Sequence, residues 1–400
     1  DIDDNHAYYN WYDYSVFSFF NGEFQKQFKT PGRPLISQEM STGYPNAETG
    51  HPTRSYQLIH QNPYSLIGYE AYDWADPKGF LNTQSFITGE LAETLRRTNE
   101  QASGIMHFAY MTWFRQCYDY RHIQPYPTYY AMQRAMQPVL VSAELWGRNL
   151  YAGEKLHTRI YVVNDNEEGR DLKPMSLIWS IVDETDKVLA SGTEQFPAVE
   201  YYGRKYIEPN IHMPSNLPAD KVNAKLKLTL TENGVTLSKN EYGLLLARKE
   251  WNIGQVAENK KILLLDKDNM KATLDFLNIA CQTVPSIKEL LNSKQKANLC
   301  ILSGLKECTD EEAKLLREYQ AKGGRLLLLN SKEAAQKIYP EYITGWIIPT
   351  EGDIVVMEHD DASVFDGIGV LELRYFNNNK REIPLACTAT LKAVRHENVK

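Results

Sequence analysis

The sequence predicts a multidomain protein: an α/β region with parallel strands, an all-β sandwich, and a small α/β domain with a doubly wound sheet. Three observations carry this. Over residues 1–138 short apolar runs alternate with helical patterns, the rhythm of parallel strands joined by helices. Over 139–250 short alternating runs are separated by turn residues, as in a β-sandwich of about a hundred residues. Over 251–400 continuous apolar runs return between helical segments, as expected of strands buried on both faces.

In the first region residues 6–11 read as extended. Residues 15–26 read as a helix, with Val16, Phe19 and Phe20 at helical spacing. Residues 34–38 form the next extended run. Residues 80–97 are the clearest helix, with Phe86, Leu91 and Leu95 on or near one face. Residues 104–113 are a further extended run, and 127–136 a short helix stopped by Pro138.

The second region alternates around 157–163, turns at 164–169, and carries two strands around Glu184-Thr185-Asp186. Strict alternation over 225–231 leads into Asn233-Gly234, the strongest hairpin dipeptide. In the third region KILLLD at 261–266, ANLCILS at 297–303 and RLLLLN at 325–330 read as buried strands. Residues 270–279 read as a helix. A second helix opens at Thr309 with Asp310, Glu311 and Glu312 in its first turn, and ends at Gly323-Gly324.

Composition is that of a globular chain: 42% apolar, 24% charged, net charge −7. An acidic balance argues against nucleic acid, which demands a basic face. No apolar run is long enough for a membrane span. The five cysteines, Cys117, Cys281, Cys300, Cys308 and Cys387, have neither metal-ligand nor disulfide-scaffold spacing. His51, His60, His107, His122 and His157 are each lone. No metal and no cofactor is expected. The turn after KILLLD lacks the glycines that cradle a phosphate, and Gly323-Gly324 ends a helix rather than opening one. Cys300 and Cys308 lack a Gly-flanked nucleophile turn and read as structural.

The 25 Tyr and seven Trp are numerous for this length. Many cluster before residue 151: YYNWYDY at 8–14, YEAYDW at 69–74, MTWFRQCYDY at 111–120 and PYPTYY at 125–130. Rings with a polar edge suit the faces of sugars, and equally suit core packing. One carboxylate stands out. The apolar run Pro34-Leu35-Ile36 ends in Gln38-Glu39 and breaks into a Ser, Thr, Gly, Tyr, Pro loop. A barrel strand presents a catalytic group in this way, and any buried strand also ends so at the surface.

Taken together, these segments resemble part of the (β/α)8 (TIM) barrel of family two glycoside hydrolases, the group of β-galactosidases, β-glucuronidases and β-mannosidases. HAYYNWY at 6–12 is similar to the strand-six segment N-R-Y-Y-G-W-Y. PLISQE at 34–39 is similar to the strand-seven segment K-P-I-I-I-T-E, and GIMHFAY at 104–110 sits where strand eight is expected. The resemblance covers about a third of the chain. It implies that 1–138 are strands six to eight, that 139–250 are an immunoglobulin-like sandwich, and that 251–400 resemble a non-catalytic amidotransferase-like module.

The resemblance also implies roles. Glu39 would be the nucleophile of a retaining glycosidase acting on a carbohydrate, an oligo- or polysaccharide β-hexoside. Tyr8 would offer its hydroxyl to Glu39. His6 and Tyr12 would line the sugar subsite, with Trp11 packed beneath. The strand-eight Trp is Met106 here, and Trp113 would supply a replacement ring from another position. The Asn-Lys-Lys-Gly segment of β-glucuronidases has no counterpart in 120–130, which disfavours a uronic acid and favours a galactoside-like sugar. An acid/base Glu after Asn is expected upstream of the nucleophile. Before Glu39 the only other Glu is Glu23, and Asn99-Glu100 comes too late. The chain therefore reads as an inactive C-terminal piece of a secreted or periplasmic enzyme. The alternative is a non-catalytic carbohydrate-binding or scaffold protein.

Overall fold

The computed structural model describes residues 2–7, 30, 32–40, 45–52, 75–98, 102–107, 109–252, 260–292, 297–348, 355, 366–369, 372–373 and 389–394. The helix expected over 15–26, and the site candidates Tyr8, Trp11 and Tyr12, lie outside the described residues. The chain divides into two compact units, Asp1–Arg248 with Glu351–Ala386, and Lys249–Thr350 with Cys387–Lys400.

The first unit opens with an open, partial (β/α)-barrel-like sheet of three parallel strands: β1 (Asp3–Ala7), β2 (Leu35–Met40) and β3 (Ala102–His107), in that order. Leu35 is fully buried at the start of the central strand. Helix α1 (Lys78–Thr98) lies in the β2-to-β3 crossover. Asp76 Oδ1 accepts the Lys78 N–H at 2.9 Å, supplying a partner to a first-turn donor that the helix cannot bond internally. Arg96 and Arg97 occupy the last turn, where cations suit the helix dipole. Helix α1 packs on α2 (Pro127–Ala135). A Cβ on Gly89 would stand 3.2 Å from the Ala131 Cβ, so glycine sets the closeness of that crossing.

The run expected to extend over 104–113 is corrected. Strand β3 stops at His107, and Tyr110–Trp113 form a 3-10 turn. Thr112 Oγ1 donates to the Ala109 carbonyl at 2.8 Å, and Tyr110 and Met111 are exposed. Apolar composition without a surface to bury against did not make strand there. A short hairpin of β4 (Phe114–Arg115) and β5 (Gln124–Pro125) comes next.

Beyond Pro138, two sheets share one hydrophobic core. One is antiparallel, of β6 (Val139–Glu144), β8 (Arg159–Asn164) and β11 (Arg204–Ile207). The other holds β7 (Asn149–Tyr151), β9 (Met175–Asp183), β10 (Val188–Phe196), β12 (Lys221–Glu232) and β13 (Val235–Ala247). Val141, Ile160, Leu177, Leu226, Leu228 and Leu244 meet in that core. The alternation read in 225–231 appears as alternating burial along β12. Asn233 and Gly234 both take positive φ, 51° and 84°, the conformation that a two-residue hairpin requires.

Helix α1 meets this region mainly through polar groups. Arg96 bonds the Ala135 and Gln137 carbonyls at 2.6 and 2.8 Å and Asp165 at 2.7 Å. Arg97, 2% exposed, bonds Ser142 Oγ at 2.6 Å and lies 3.6 Å from Glu93. Glu93 accepts in turn from Tyr242 at 2.6 Å and Asn240 at 2.9 Å. Gly367 and Glu372, which the sequence grouped with 251–400, are bonded to Lys221 on β12 in this unit.

The second unit is built on a parallel sheet in the order β15 (Gln282–Thr283), β14 (Ile262–Asp266), β16 (Leu299–Ser303), β17 (Leu326–Leu329). Alternate residues feed two cores. Ile262, Leu264 and Ile301 meet α3 (Met270–Phe276). Leu263, Leu265, Cys300 and Leu302 meet α4 (Ile287–Asn292), α5 (Asp310–Ala321) and α6 (Lys332–Ile338). The helix read from Thr309 carries a reciprocal cap. Glu312 N–H donates to Thr309 Oγ1 at 3.2 Å, and Thr309 N–H to Glu312 Oε2 at 2.9 Å. Strands β18 (Ile343–Ile347) and β19 (Thr390–Ala393) pair antiparallel.

Candidate active site

The candidate site lies at the C-terminal ends of β1, β2 and β3. In a regular register Asn5 opposite Ser37 would put His6 opposite Gln38 and Ala7 opposite Glu39. The ladder instead slips, and His6 pairs with Glu39 and Ala7 with Met40. The pairing of β2 with β3 slips across the same stretch, between Ser37 opposite Ile105 and Met40 opposite His107. Gln38 is thus the extra residue of a bulge. Bulges re-aim side chains and are over-represented beside active sites. Two residues singled out in the sequence, His6 and Glu39, are brought into register on adjacent strands. Met106, on β3, is 51% exposed.

Trp113 is not part of a strand. The 3-10 turn returns it to β3, where its indole N–H donates to His107 Nδ1 at 2.7 Å, with ring centroids 5.5 Å apart. An indole nitrogen only donates, so Nδ1 carries no proton and the neutral ring holds its proton on Nε2. Nε2 lies 3.5 Å from Thr88 Oγ1 on α1. Burial pushes the His107 pKa down to about 3, because the imidazolium would be desolvated. His107 is therefore a neutral spacer that fixes Trp113 at the end of β3, not a proton donor near neutral pH.

The loops after β2 and β3 are joined. Gln116 N–H bonds the Ala47 carbonyl at 2.5 Å, Arg115 Nε bonds Glu48 O at 2.7 Å, and Tyr126 OH bonds Asn46 O at 2.8 Å. Burial pushes the Tyr126 hydroxyl up to about 12, so it remains the donor in that bond. On this rim, Tyr118 and Tyr120 are 84% and 87% exposed. Among the described residues no group of three His, Cys, Asp or Glu could hold a metal, and no helix is long and apolar enough to cross a membrane.

Sequence reasoning missed His107. In the sequence His107 stands as a lone histidine, and along an extended run 104–113 it would lie about 20 Å from Trp113. Only the unforeseen turn makes them neighbours. The buried charges of α1 were missed as well. The spacing of Glu90, Glu93 and Arg97 on one helix face was legible, but their buried partners lie on β6 and β13 and beside β7.

Neither a protein-family model nor a curated protein matches the chain. Among solved structures its fold resembles several glycoside hydrolases at low identity over part of its length. The exo-chitosanase of Amycolatopsis orientalis is 14% identical, with TM-score 0.37, over 61% of this chain and 30% of that one. The β-D-mannosidase of Dictyoglomus thermophilum is 13% identical, with TM-score 0.38, over 60% and 30%. A β-glucuronidase from glycoside hydrolase family 2 is 13% identical, with TM-score 0.21, over 52% and 22%. The chain thus spans less than a third of the length of these proteins.

Proposed function

We propose that this chain is the nucleophile-bearing part of a retaining β-glycosidase of the family two type. The observation that supports it most is the bulge at Gln38, which sets Glu39 opposite His6 where two parallel strands end. In this reading the Glu39 carboxylate attacks the anomeric carbon and the glycosidic C–O bond breaks. A second carboxyl, about 5–5.5 Å away, protonates the departing oxygen. Water then attacks the glycosyl ester with that second group acting as base, and Glu39 leaves as the carboxylate. No Asn-Glu pair precedes Glu39 in this sequence to supply that second carboxyl. The substrate is a neutral β-hexoside, galactoside-like. Residues 139–250 serve as an immunoglobulin-like support and the parallel-sheet unit as an amidotransferase-like, non-catalytic module.

Rescue chemistry tests this. In the longest natural chain containing these residues, Glu39→Ala should lose hydrolysis of aryl β-hexosides. Added azide should restore aglycone release by occupying the vacated position and forming a glycosyl azide. Full activity in the variant would remove Glu39 from the mechanism. A second reading, a non-catalytic carbohydrate-binding protein, is favoured by exposed Met106 where the resemblance expects a sugar-stacking Trp. It predicts sugar binding without turnover in that same chain.

A further inference from the structure

The parallel sheet of the second unit has two edges of unlike design. One is β15, only two residues long and exposed at both. A very short strand is a common way to blunt an edge. The other edge is β17, which carries four leucines and neither a charge nor a proline. Its composition is that of a central strand, yet all four leucines remain at least partly exposed, and Leu327 is 41% exposed. In β16 beside it, Cys300, Ile301, Leu302 and Ser303 are all buried. Pairing with β16 sets the direction of the β17 peptide groups. The Cys300 N–H donates to Arg325 O and the Gly304 N–H to Leu329 O, both at 2.9 Å. Directions alternate along a strand, so Leu327 also turns its peptide groups to β16. The N–H and C=O of Leu326 and Leu328 therefore turn outward. Among the described residues no strand pairs on that side, since β18 and β19 pair with each other.

A second copy of the same strand fits this edge. A two-fold axis normal to the sheet pairs β17 antiparallel with itself and leaves each face on its own side. With Leu327 opposite the second copy's Leu327, Leu326 exchanges both outward hydrogen bonds with the second copy's Leu328, and Leu328 with its Leu326. Leu326 and Leu328 pack on one core of the unit and Leu329 on the other, so apolar side chains meet on both faces. The charges agree with this pairing. Arg325 shares a face with Leu327 and Leu329, the face that α3 covers. At the other end of β17, Asn330 Nδ2 donates to Asp268 Oδ2 at 2.8 Å, in the loop that leads into α3. Arg325 and Asp268 are exposed, and neither forms an ion pair among the described residues. Antiparallel pairing brings the Arg325 of each copy to the strand end where the Asp268 of the other stands. Parallel pairing would set Arg325 beside Arg325.

We propose that the free edge of β17 is a homodimer interface, joining the four-stranded sheets of two chains into one continuous sheet. The proposal does not rest on Glu39 being a nucleophile. The test is sedimentation velocity of the protein over a range of concentrations. The chain should pass from monomer at about 1 μM to dimer at about 100 μM. The axis closes the interface, so association should stop at two copies. Leu327→Lys sets a charge against its own copy and should raise the dimer dissociation constant about tenfold or more. Arg325→Glu should raise it about fivefold or more, and adding Asp268→Arg to that variant should restore the wild-type value. If Leu327→Lys does not fold, the charge reversal and its rescue decide. A chain that stays monomeric at about 100 μM would overturn the proposal, as would assemblies that grow beyond two. A dimer that Leu327→Lys or Arg325→Glu leaves intact would place the contact on another face and overturn it equally. So would a charge reversal that Asp268→Arg fails to rescue.

Discussion

In the sheet of β1, β2 and β3 the register slips beside Glu39, whereas β14 and β16 pair without a break from Ile262 opposite Leu299 to Asp266 opposite Ser303. Both are parallel sheets with a carboxylate at or near a strand end. In the regular sheet that carboxylate is spent on the fold. Asp266 accepts the N–H groups of Met270 at 2.9 Å and Lys271 at 2.8 Å, at the start of α3. Burial works to raise its pKa, and those backbone donors outweigh it and hold the group below the usual carboxylate range. A carboxylate at a strand end is thus not by itself a site. What separates the helix cap from the candidate nucleophile is that the register is bent beside Glu39 and unbroken beside Asp266.

The sharpest way to break this comparison is to neutralise both carboxylates. In the longest natural chain, Glu39→Gln should lower turnover of an aryl β-hexoside by about a thousandfold or more, because covalent catalysis is lost. Asp266→Asn should leave turnover within about twofold. Equal effects on turnover would erase the distinction between the two sheets.

The next largest effect concerns what holds the first sheet's crossover helix in place. Arg97→Met removes the cation beside buried Glu93 and should cost about 3–5 kcal/mol in urea unfolding. A cost below about 1 kcal/mol would mean that Ser142, Tyr242 and Asn240 satisfy Glu93 without it.

His107 supplies a pH signature confined to the first sheet. Its folded pKa of about 3 lies below the unfolded value of about 6.5. The unfolded chain therefore binds the proton first as pH falls. The contribution of His107 is complete above about pH 6.5 and is lost progressively toward pH 3, reaching about 2 kcal/mol lost at pH 5. His107→Asn should flatten the stability slope between pH 6.5 and 5, read by denaturant midpoints. An unchanged slope would show that the ring is hydrated.

The smallest effect belongs to the regular sheet, where Asp266→Asn should cost about 1 kcal/mol by weakening the start of α3. A loss many times larger would mean that Asp266 does more than cap.

How legible these regions were in the sequence depends on how local their causes are. The strands of the second unit were readable because KILLLD, ANLCILS and RLLLLN are apolar on both faces, and Thr309 and Glu312 are a cap written within four residues. The Asn233-Gly234 hairpin was readable for the same reason. Glu39 was legible as a strand end, but the bulge that aligns it with His6 was not, since Gln38 looks like any alternating residue. The turn that carries Trp113 to His107 was hidden behind an apolar run that resembles a strand. The polar face of α1 carries no local mark of burial, since charged residues on a helix are mostly exposed. Their partners, Ser142, Arg148, Asn240 and Tyr242, lie some 45 to 150 residues along the chain.

The most direct measurement is covalent capture. The longest natural chain containing these residues is incubated with an activated 2-deoxy-2-fluoro-β-hexoside, digested, and its peptides weighed. The account predicts a single fluorohexosyl adduct on the peptide holding Glu39, formed as activity is lost. An adduct on another carboxylate, or hydrolysis that proceeds with no adduct at Glu39, would contradict it.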